Sequence, residues 1–111
     1  MKVTVKHMEN VVVFSIGGDV DATNGPELAQ LFQAEMVEAV NFVADFTRVD
    51  FISSAGLRVL LATVKEARRR GGDLRLAATQ ASVDKVLTIS GFTRIIKTYK
   101  TVDDAIESYS E

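Results

Sequence analysis

The stretch between residues 41 and 78 constrains the fold more than any other part of the chain. Two short apolar runs, "NFVADF" and "DLRLAA", flank a longer segment with helical periodicity. That segment carries an apolar stripe and ends in two glycines, as helices commonly do. The stripe comprises Leu57, Leu60, Leu61, Val64 and Ala67. A strand, a helix and a second strand in this order predict two parallel strands joined by a helix that packs across them.

The amino-terminal part of the chain adds two strands and a helix. The runs "KVTVKH" and "NVVVFSIGG" are separated by a short polar break and predict a hairpin. A polar loop, "GGDVDATNG", follows. A first helix is predicted from Pro26, with Asn24 or Gly25 as its cap, because proline suits the first helical turn.

The carboxyl-terminal part continues the alternation of strands and helices. We predict a helix over residues 80–90 that ends at Gly91, then a strand in "IIKTY". A last helix is predicted in "TVDDAIESY", with Thr101 as its cap. The complete order predicts an α/β fold with a mixed, largely parallel sheet of about five strands and about four helices.

Length and composition are typical of one globular domain, expected to span residues 1–111. Apolar residues make up 47% of the chain, enough for a core, and the absence of cysteine excludes disulfides and thiolate metal sites. The net charge is only −2, and the basic cluster Arg68–Arg70 is interpreted as stabilising a helix end, so nucleic-acid binding is not expected. No membrane-spanning run or signal peptide is visible, which favours a cytoplasmic protein without membrane insertion.

The sequence carries little that indicates an enzyme. Its only histidine, His7, lies in a predicted strand, so neither a Ser-His-Asp triad nor a metal cluster is easily assembled. The glycine-rich fingerprints of phosphate and dinucleotide sites are absent. Asp19 and Asp21 could form a cation-binding pair, but we interpret them as turn residues or as an acidic rim. We therefore expect no metal and no cofactor.

Two adjacent serines precede the second predicted helix in "FISSAGL". Because the carboxyl ends of parallel strands share one edge of a sheet, this stretch should lie beside the loop "GGDVDATNG". Either Ser53 or Ser54 can cap the helix. A phosphate on a serine here would be tolerated by the positive end of the helix dipole. It would add about −1.5 to −2 charges beside Asp19, Asp21 and Asp50, enough to repel a partner without a change of fold.

Three stretches match a known pattern: "VADFTRVDFISSAGLRVLL", "GGDVDATN" and "ISGFTRIIKTY". They resemble, in turn, the central signature, the acidic loop and the segment before the last strand of the STAS domain, specifically in bacterial anti-sigma factor antagonists. The resemblance covers essentially the whole chain and implies the fold of that family. Aligned on Gly56 and Leu57, it implies that the phosphorylated serine of the family corresponds to Ser54.

The resemblance also implies partners. In such proteins the unphosphorylated form binds an anti-sigma factor that is also a serine kinase of the histidine-kinase-like ATPase fold, and binding frees the sigma factor. The kinase phosphorylates the serine, and a PP2C-type phosphatase removes the phosphate. The implied partner-binding positions are Asp19, Asp21, Thr23, Asn24, Ser53, Ser54, Ala55, Gly56 and Arg58.

One position departs from the family pattern. The family usually carries aspartate immediately before the phosphorylated serine, whereas this chain has Ser53. Either kinase recognition differs, or Ser53 is an alternative acceptor, or the protein is controlled in another way. The alternative function is a phosphorylation-independent scaffold or soluble subunit of a stress-signalling or lipid-transport complex. A nucleotide or metal site around Asp19, Asp21 and Ser54 is a third hypothesis, which the missing phosphate-binding motifs disfavour.

Overall fold

The computed structural model describes residues 1–110 and confirms the predicted α/β fold. The strands are β1 (Lys2–His7), β2 (Val12–Gly17), β3 (Asn41–Arg48), β4 (Asp73–Ala77) and β5 (Thr98–Tyr99). The helices are α1 (Gly25–Glu35), α2 (Ser54–Arg69), α3 (Ala81–Ile89) and α4 (Val102–Glu107). Short 3₁₀ turns occupy Phe92–Arg94 and Ser108–Ser110. Within this described part of the chain, no helix has both the length and the apolar character needed to cross a bilayer.

The five strands form one sheet in the order β1-β2-β3-β4-β5. β1 and β2 pair antiparallel, which confirms the predicted hairpin. β2, β3, β4 and β5 pair parallel, so the carboxyl ends of β2 and β3 meet at the same edge. The segments that follow these two strands are the polar loop and the pair of serines.

The main core lies between one face of the sheet and helices α1, α2 and α3. Three phenylalanines at its centre are fully buried, and the ring centroids of Phe14 and Phe32 lie 4.4 Å apart. Phe42 meets Phe14 edge-on at 6.1 Å. Burial of each large apolar side chain contributes roughly 1.5–3 kcal/mol, so this cluster fixes α1 against β2 and β3.

The opposite face of the sheet is covered only in part. A smaller apolar cluster joins α4 to the sheet through Val43, Ala77 and Ala105. Thr101 caps α4 as predicted, because its side-chain oxygen accepts a hydrogen bond from the Asp104 amide at 3.0 Å. The carboxyl-terminal turn places Tyr109 beside the same cluster.

Two local predictions hold only in part. The strand predicted in "IIKTY" is confined to Thr98–Tyr99, because Gly91 adopts φ +79° and directs the chain into a 3₁₀ turn that ends at Arg94. Asn24 occupies the cap position of α1 as predicted, but its side chain makes no capping hydrogen bond. Its amide oxygen and nitrogen instead bond to the Asp21 amide and the Asp19 carbonyl within the preceding loop.

Candidate functional site

The amino end of α2 is capped by the first serine of the pair. Ser53 has extended backbone angles, and its Oγ accepts a hydrogen bond from the Gly56 amide at 3.2 Å. Its carbonyl accepts the Leu57 amide at 2.9 Å, which starts the helical ladder. An oxygen at this position satisfies one of the amides that a helix leaves without an internal partner. The hydroxyl of Ser53 therefore serves the helix.

The second serine is left free of such a role. Ser54 is the first residue of α2, and its side chain is exposed. Its hydroxyl makes no hydrogen bond to any other residue in the range 1–110. The amides of Ser54 and Ala55 belong to the first turn, where helices have no internal acceptor to offer. Ser54 thus presents an unengaged hydroxyl on a rigid helix, next to amides that can donate hydrogen bonds to an anion.

The polar loop after β2 lies beside this helix end, as the topology predicts. Val20 forms a parallel bridge with Ile52. The Val20 amide donates to the Phe51 carbonyl at 3.0 Å, and the Ser53 amide donates to the Val20 carbonyl at 2.9 Å. Because these bonds are backbone bonds, they hold Asp19 and the rest of the loop in register with the serines.

Gly56 is required for this close approach. A Cβ at this position would lie 2.7 Å from Ile52 Cγ1, 2.9 Å from Val20 Cγ1 and 3.0 Å from the Val20 carbonyl oxygen. Such distances are shorter than normal contacts, so any side chain would push the loop and the helix apart. Gly56 is itself buried, and it shapes the surface by packing.

One of the two loop aspartates, Asp21, organises a turn. Asp21 Oδ1 accepts the amides of Thr23 at 2.9 Å and Asn24 at 3.2 Å, a typical aspartate turn. Asp19 and Thr23 are exposed, whereas Asp21 and Asn24 are half-buried. No group of three or more potential metal ligands occurs among the described residues. The interpretation of Asp21 as a turn residue is confirmed.

Other side chains complete the surface around Ser54. Arg58 is exposed, and Ala55 is half-buried beside it in a shallow groove between α1 and α2. Phe51 is 50% exposed, although it is a large aromatic residue just before the serines. The sequence analysis did not single out Phe51. The signal that could have identified it is a large aromatic residue that lies just before the serines and outside the apolar stripe of α2. We call the exposed residues Asp19, Thr23, Phe51, Ser54 and Arg58 the Ser54 surface.

Comparisons with known proteins identify the family to which this chain belongs. The model of the STAS domain matches residues 2–105. The chain belongs to the STAS domain family. BtrV of Bordetella bronchiseptica, described as a candidate anti-sigma factor antagonist, is 34% identical over 96 residues. That match covers 86% of this chain and 83% of BtrV.

Solved structures of the family share the fold at lower sequence identity. A candidate anti-sigma factor antagonist from Thermotoga maritima superposes with a TM-score of 0.93 at 22% identity, covering 98% of this chain and 95% of that chain. The anti-sigma factor antagonist SpoIIAA in its unphosphorylated form gives 0.83 at 20% identity, covering 98% and 96%. SpoIIAA of Bacillus in its phosphorylated form gives 0.75 at 18% identity, covering 97% and 99%. These structures establish the fold.

Proposed function

We propose that this chain is an anti-sigma factor antagonist. Its unphosphorylated form would bind an anti-sigma factor through the Ser54 surface and so free a sigma factor. The observation that carries the proposal is the exposed hydroxyl of Ser54 at the start of α2, which the fold itself does not use. The relationship to BtrV, described as a candidate antagonist, supports the same function.

The proposed partner is an anti-sigma factor that is also a serine kinase of the histidine-kinase-like ATPase fold. A kinase supplies the nucleotide, the magnesium ions and the base for phosphoryl transfer. The substrate has to offer only an accessible hydroxyl on a well-ordered support. Ser54 meets both requirements, because it is exposed and lies on a helix that the loop after β2 holds in place.

Phosphorylation of Ser54 would switch binding off by charge. A phosphate adds about −1.5 to −2 charges, and the positive end of α2 would accommodate it without unfolding. The same charge would stand near Asp19 and Asp50, which are exposed on the adjoining loops. Each ~1.4 kcal/mol of resulting repulsion or lost contact weakens binding about tenfold. A PP2C-type phosphatase would restore the binding form.

Ser54 is a better acceptor than Ser53 in this proposal. The Ser53 hydroxyl is half-buried and already accepts the Gly56 amide. Transfer to Ser53 would require the cap to open, at a cost of about 1 kcal/mol. Ser53 also removes the negative charge that the family pattern places next to the acceptor, so we expect the cognate kinase to recognise a less acidic surface.

The direct test is phosphate mapping. The full chain is incubated with ATP and each kinase-like protein encoded nearby, and intact mass and peptide mapping locate any phosphate. We expect one phosphate on Ser54, retained in Ser53→Ala and lost in Ser54→Ala. Transfer to Ser53 alone would overturn the site assignment. A stable stoichiometric complex without any transfer would instead favour the phosphorylation-independent scaffold or complex subunit, which the missing aspartate at position 53 makes the second candidate.

A further inference from the structure

A polar cavity of about 470 Å³ lies at the edge of the sheet opposite the Ser54 surface. It is located where α2 ends, where β4 begins and where the carboxyl-terminal turn packs against the sheet. The charged groups in its wall are Arg68, Asp73, Arg75 and Lys97. We call it the Arg75 cavity. The proposed antagonist function makes no use of it.

The wall of the Arg75 cavity carries an excess of positive charge. Asp73 Oδ1 accepts hydrogen bonds from Arg68 Nε at 2.9 Å and from the Leu74 amide at 3.0 Å, and its Oδ2 accepts one from Arg75 Nε at 3.2 Å. A single carboxylate is therefore shared between two guanidinium groups. Lys97 forms no ion pair with any residue from 1 to 110. Among residues 1–110, three cations and one carboxylate line the wall, and they leave two positive charges without a counter-charge there.

The guanidinium group of Arg75 is held in a fixed position. Its side chain is only 13% exposed, its Nη1 donates to Ser108 Oγ at 2.6 Å, and its central carbon lies 4.0 Å from the centre of the Tyr109 ring. The Tyr109 hydroxyl lies 2.7 Å from the Phe42 carbonyl oxygen and 2.9 Å from that of Asp73. Burial raises the pKa of the Tyr109 phenol, so the ring stays neutral and cancels none of the positive charge.

Arg75 is fixed by its neighbours and still has donors to offer. Its Nη2 makes no hydrogen bond to another residue of the described chain. A guanidinium group that is already ordered loses little side-chain entropy when it binds an anion. The amides of Gly71 and Gly72 donate to the carbonyls of Arg68 and Ala67, so recognition would rest on side chains.

We propose that the Arg75 cavity binds a small molecule that carries a phosphate group, through Arg75, Arg68 and Lys97. Guanidinium groups match the geometry of phosphate oxygens, and two unbalanced positive charges suit a dianionic phosphoryl group. The cavity volume lies within the range of about 300–1,000 Å³ that small-molecule sites occupy. The site is separate from Ser54, so a partner bound there and an anion bound here can be present together.

The test is a titration of the full chain with inorganic phosphate and with pyrophosphate, followed by amide NMR spectra at low ionic strength. We expect shifts concentrated in residues 71–75 and 108–109, with pyrophosphate binding more tightly than phosphate. Sodium chloride and sodium acetate at matched ionic strength serve as controls. Equal shifts with chloride or acetate, or shifts spread over the whole surface, would overturn the proposal.

Two matched variants sharpen this test. Lys97→Glu reverses an exposed charge in the cavity wall, and Lys65→Glu makes the same change at an exposed position of α2 outside the cavity. We expect Lys97→Glu to weaken pyrophosphate binding about tenfold or more, and Lys65→Glu to change it less than about twofold. Equal weakening in both variants would mean that only the overall charge matters and would contradict a specific site. Urea denaturation of each variant confirms that the fold is intact.

Discussion

At its amino end α2 begins with four uncharged residues, 54–57, whereas at its carboxyl end it carries the arginines of Arg68–Arg70. Each of these arginines binds a carboxylate of the fold: Arg69 and Arg70 both bind Glu66, and Arg68 binds Asp73. Of the two serines at the amino end, only Ser53 has a hydroxyl that the fold uses, and the hydroxyl of Ser54 is left free. Reversing the charge of one of these arginines would therefore break ion pairs of the fold, whereas a new charge at Ser54 would alter what the protein can bind.

The largest expected effect tests the carboxyl end through its two glycines. A Cβ on Gly72 would lie 1.9 Å from the Val40 carbonyl oxygen, and that oxygen is backbone that cannot move aside without breaking the start of β4. We expect Gly72→Ala to lower the free energy of unfolding by about 3 kcal/mol or more. Gly71→Ala is the control, because a Cβ there has open space and only the left-handed φ of +91° opposes it, at about 1 kcal/mol. Urea denaturation measures both, and equal losses would contradict the packing argument.

The next effect belongs to the amino end and concerns binding. Ser54→Asp places a negative charge on the Ser54 surface, and we expect it to weaken binding to the cognate anti-sigma factor about ten- to a hundredfold. Ser54→Ala removes only an unengaged hydroxyl and should bind as the unmodified protein does. Titration calorimetry provides the affinities. If the two variants bind equally well, charge at this position is not the switch.

A smaller effect distinguishes the two serines by stability. Ser53→Ala removes the oxygen that accepts the Gly56 amide and should cost about 1 kcal/mol of unfolding free energy. Ser53→Asp keeps an acceptor at the cap and should cost much less. Ser54 is exposed, and its hydroxyl makes no hydrogen bond within the described chain. The unfolding free energy of Ser54→Ala should therefore lie within about 0.5 kcal/mol of that of the unchanged protein. Chemical denaturation measures the unfolding free energy of the three variants. If Ser54→Ala lost the most, the assignment of Ser53 as the capping serine would be wrong.

The smallest effect is a pH dependence at the carboxyl end. Hydrogen bonds from Arg69 and then Arg70 lower the pKa of the Glu66 carboxyl from 4.5 to about 2. A lowered pKa means that this ion pair stabilises the fold above the unfolded-state value and that the contribution is lost as pH falls towards 2. Because the group is exposed, screening keeps the contribution small. The melting temperature of Glu66→Gln should be slightly lower than that of the unchanged protein at pH 7, and the two melting temperatures should converge as the pH falls towards 2. A difference that persisted unchanged at pH 2 would exclude the ion pair as its cause.

Periodicity in the sequence was sufficient to predict the order of strands and helices, because the apolar spacing of elements such as α2 is set by which side chains the core buries. The prediction of a strand in "IIKTY" failed at Ile95, which is apolar yet 36% exposed. The conformation of Ile95 depends on the turn after Gly91 and on which backbone groups of β4 are free to pair. Both are set by the tertiary structure and cannot be read from the local sequence pattern. β5 pairs with β4 at only two positions.

The candidate site was predictable in its location and not in its details. Parallel topology alone predicts that the loop after β2 meets the start of α2. It does not tell which of Ser53 and Ser54 caps the helix, because both have a hydroxyl and the choice depends on where helical backbone angles begin. The Arg75 cavity gave no sequence signal, since Arg75 and Tyr109 are far apart in the chain and meet only when the carboxyl-terminal turn packs on the sheet.

The bridge between Val20 and Ile52 has a consequence for how the chain tolerates changes in length. Because the amide of Val20 and the amide of Ser53 are tied across the two segments, inserting one residue on either side would shift the alternation and turn a buried side chain outward. Such insertions are usually accepted at surface loops, but here two surface loops are joined like paired strands. We expect relatives to show no insertions or deletions in either segment. We also expect the amides of Val20 and Ser53 to exchange their hydrogens slowly and at similar rates, because one opening event exposes both.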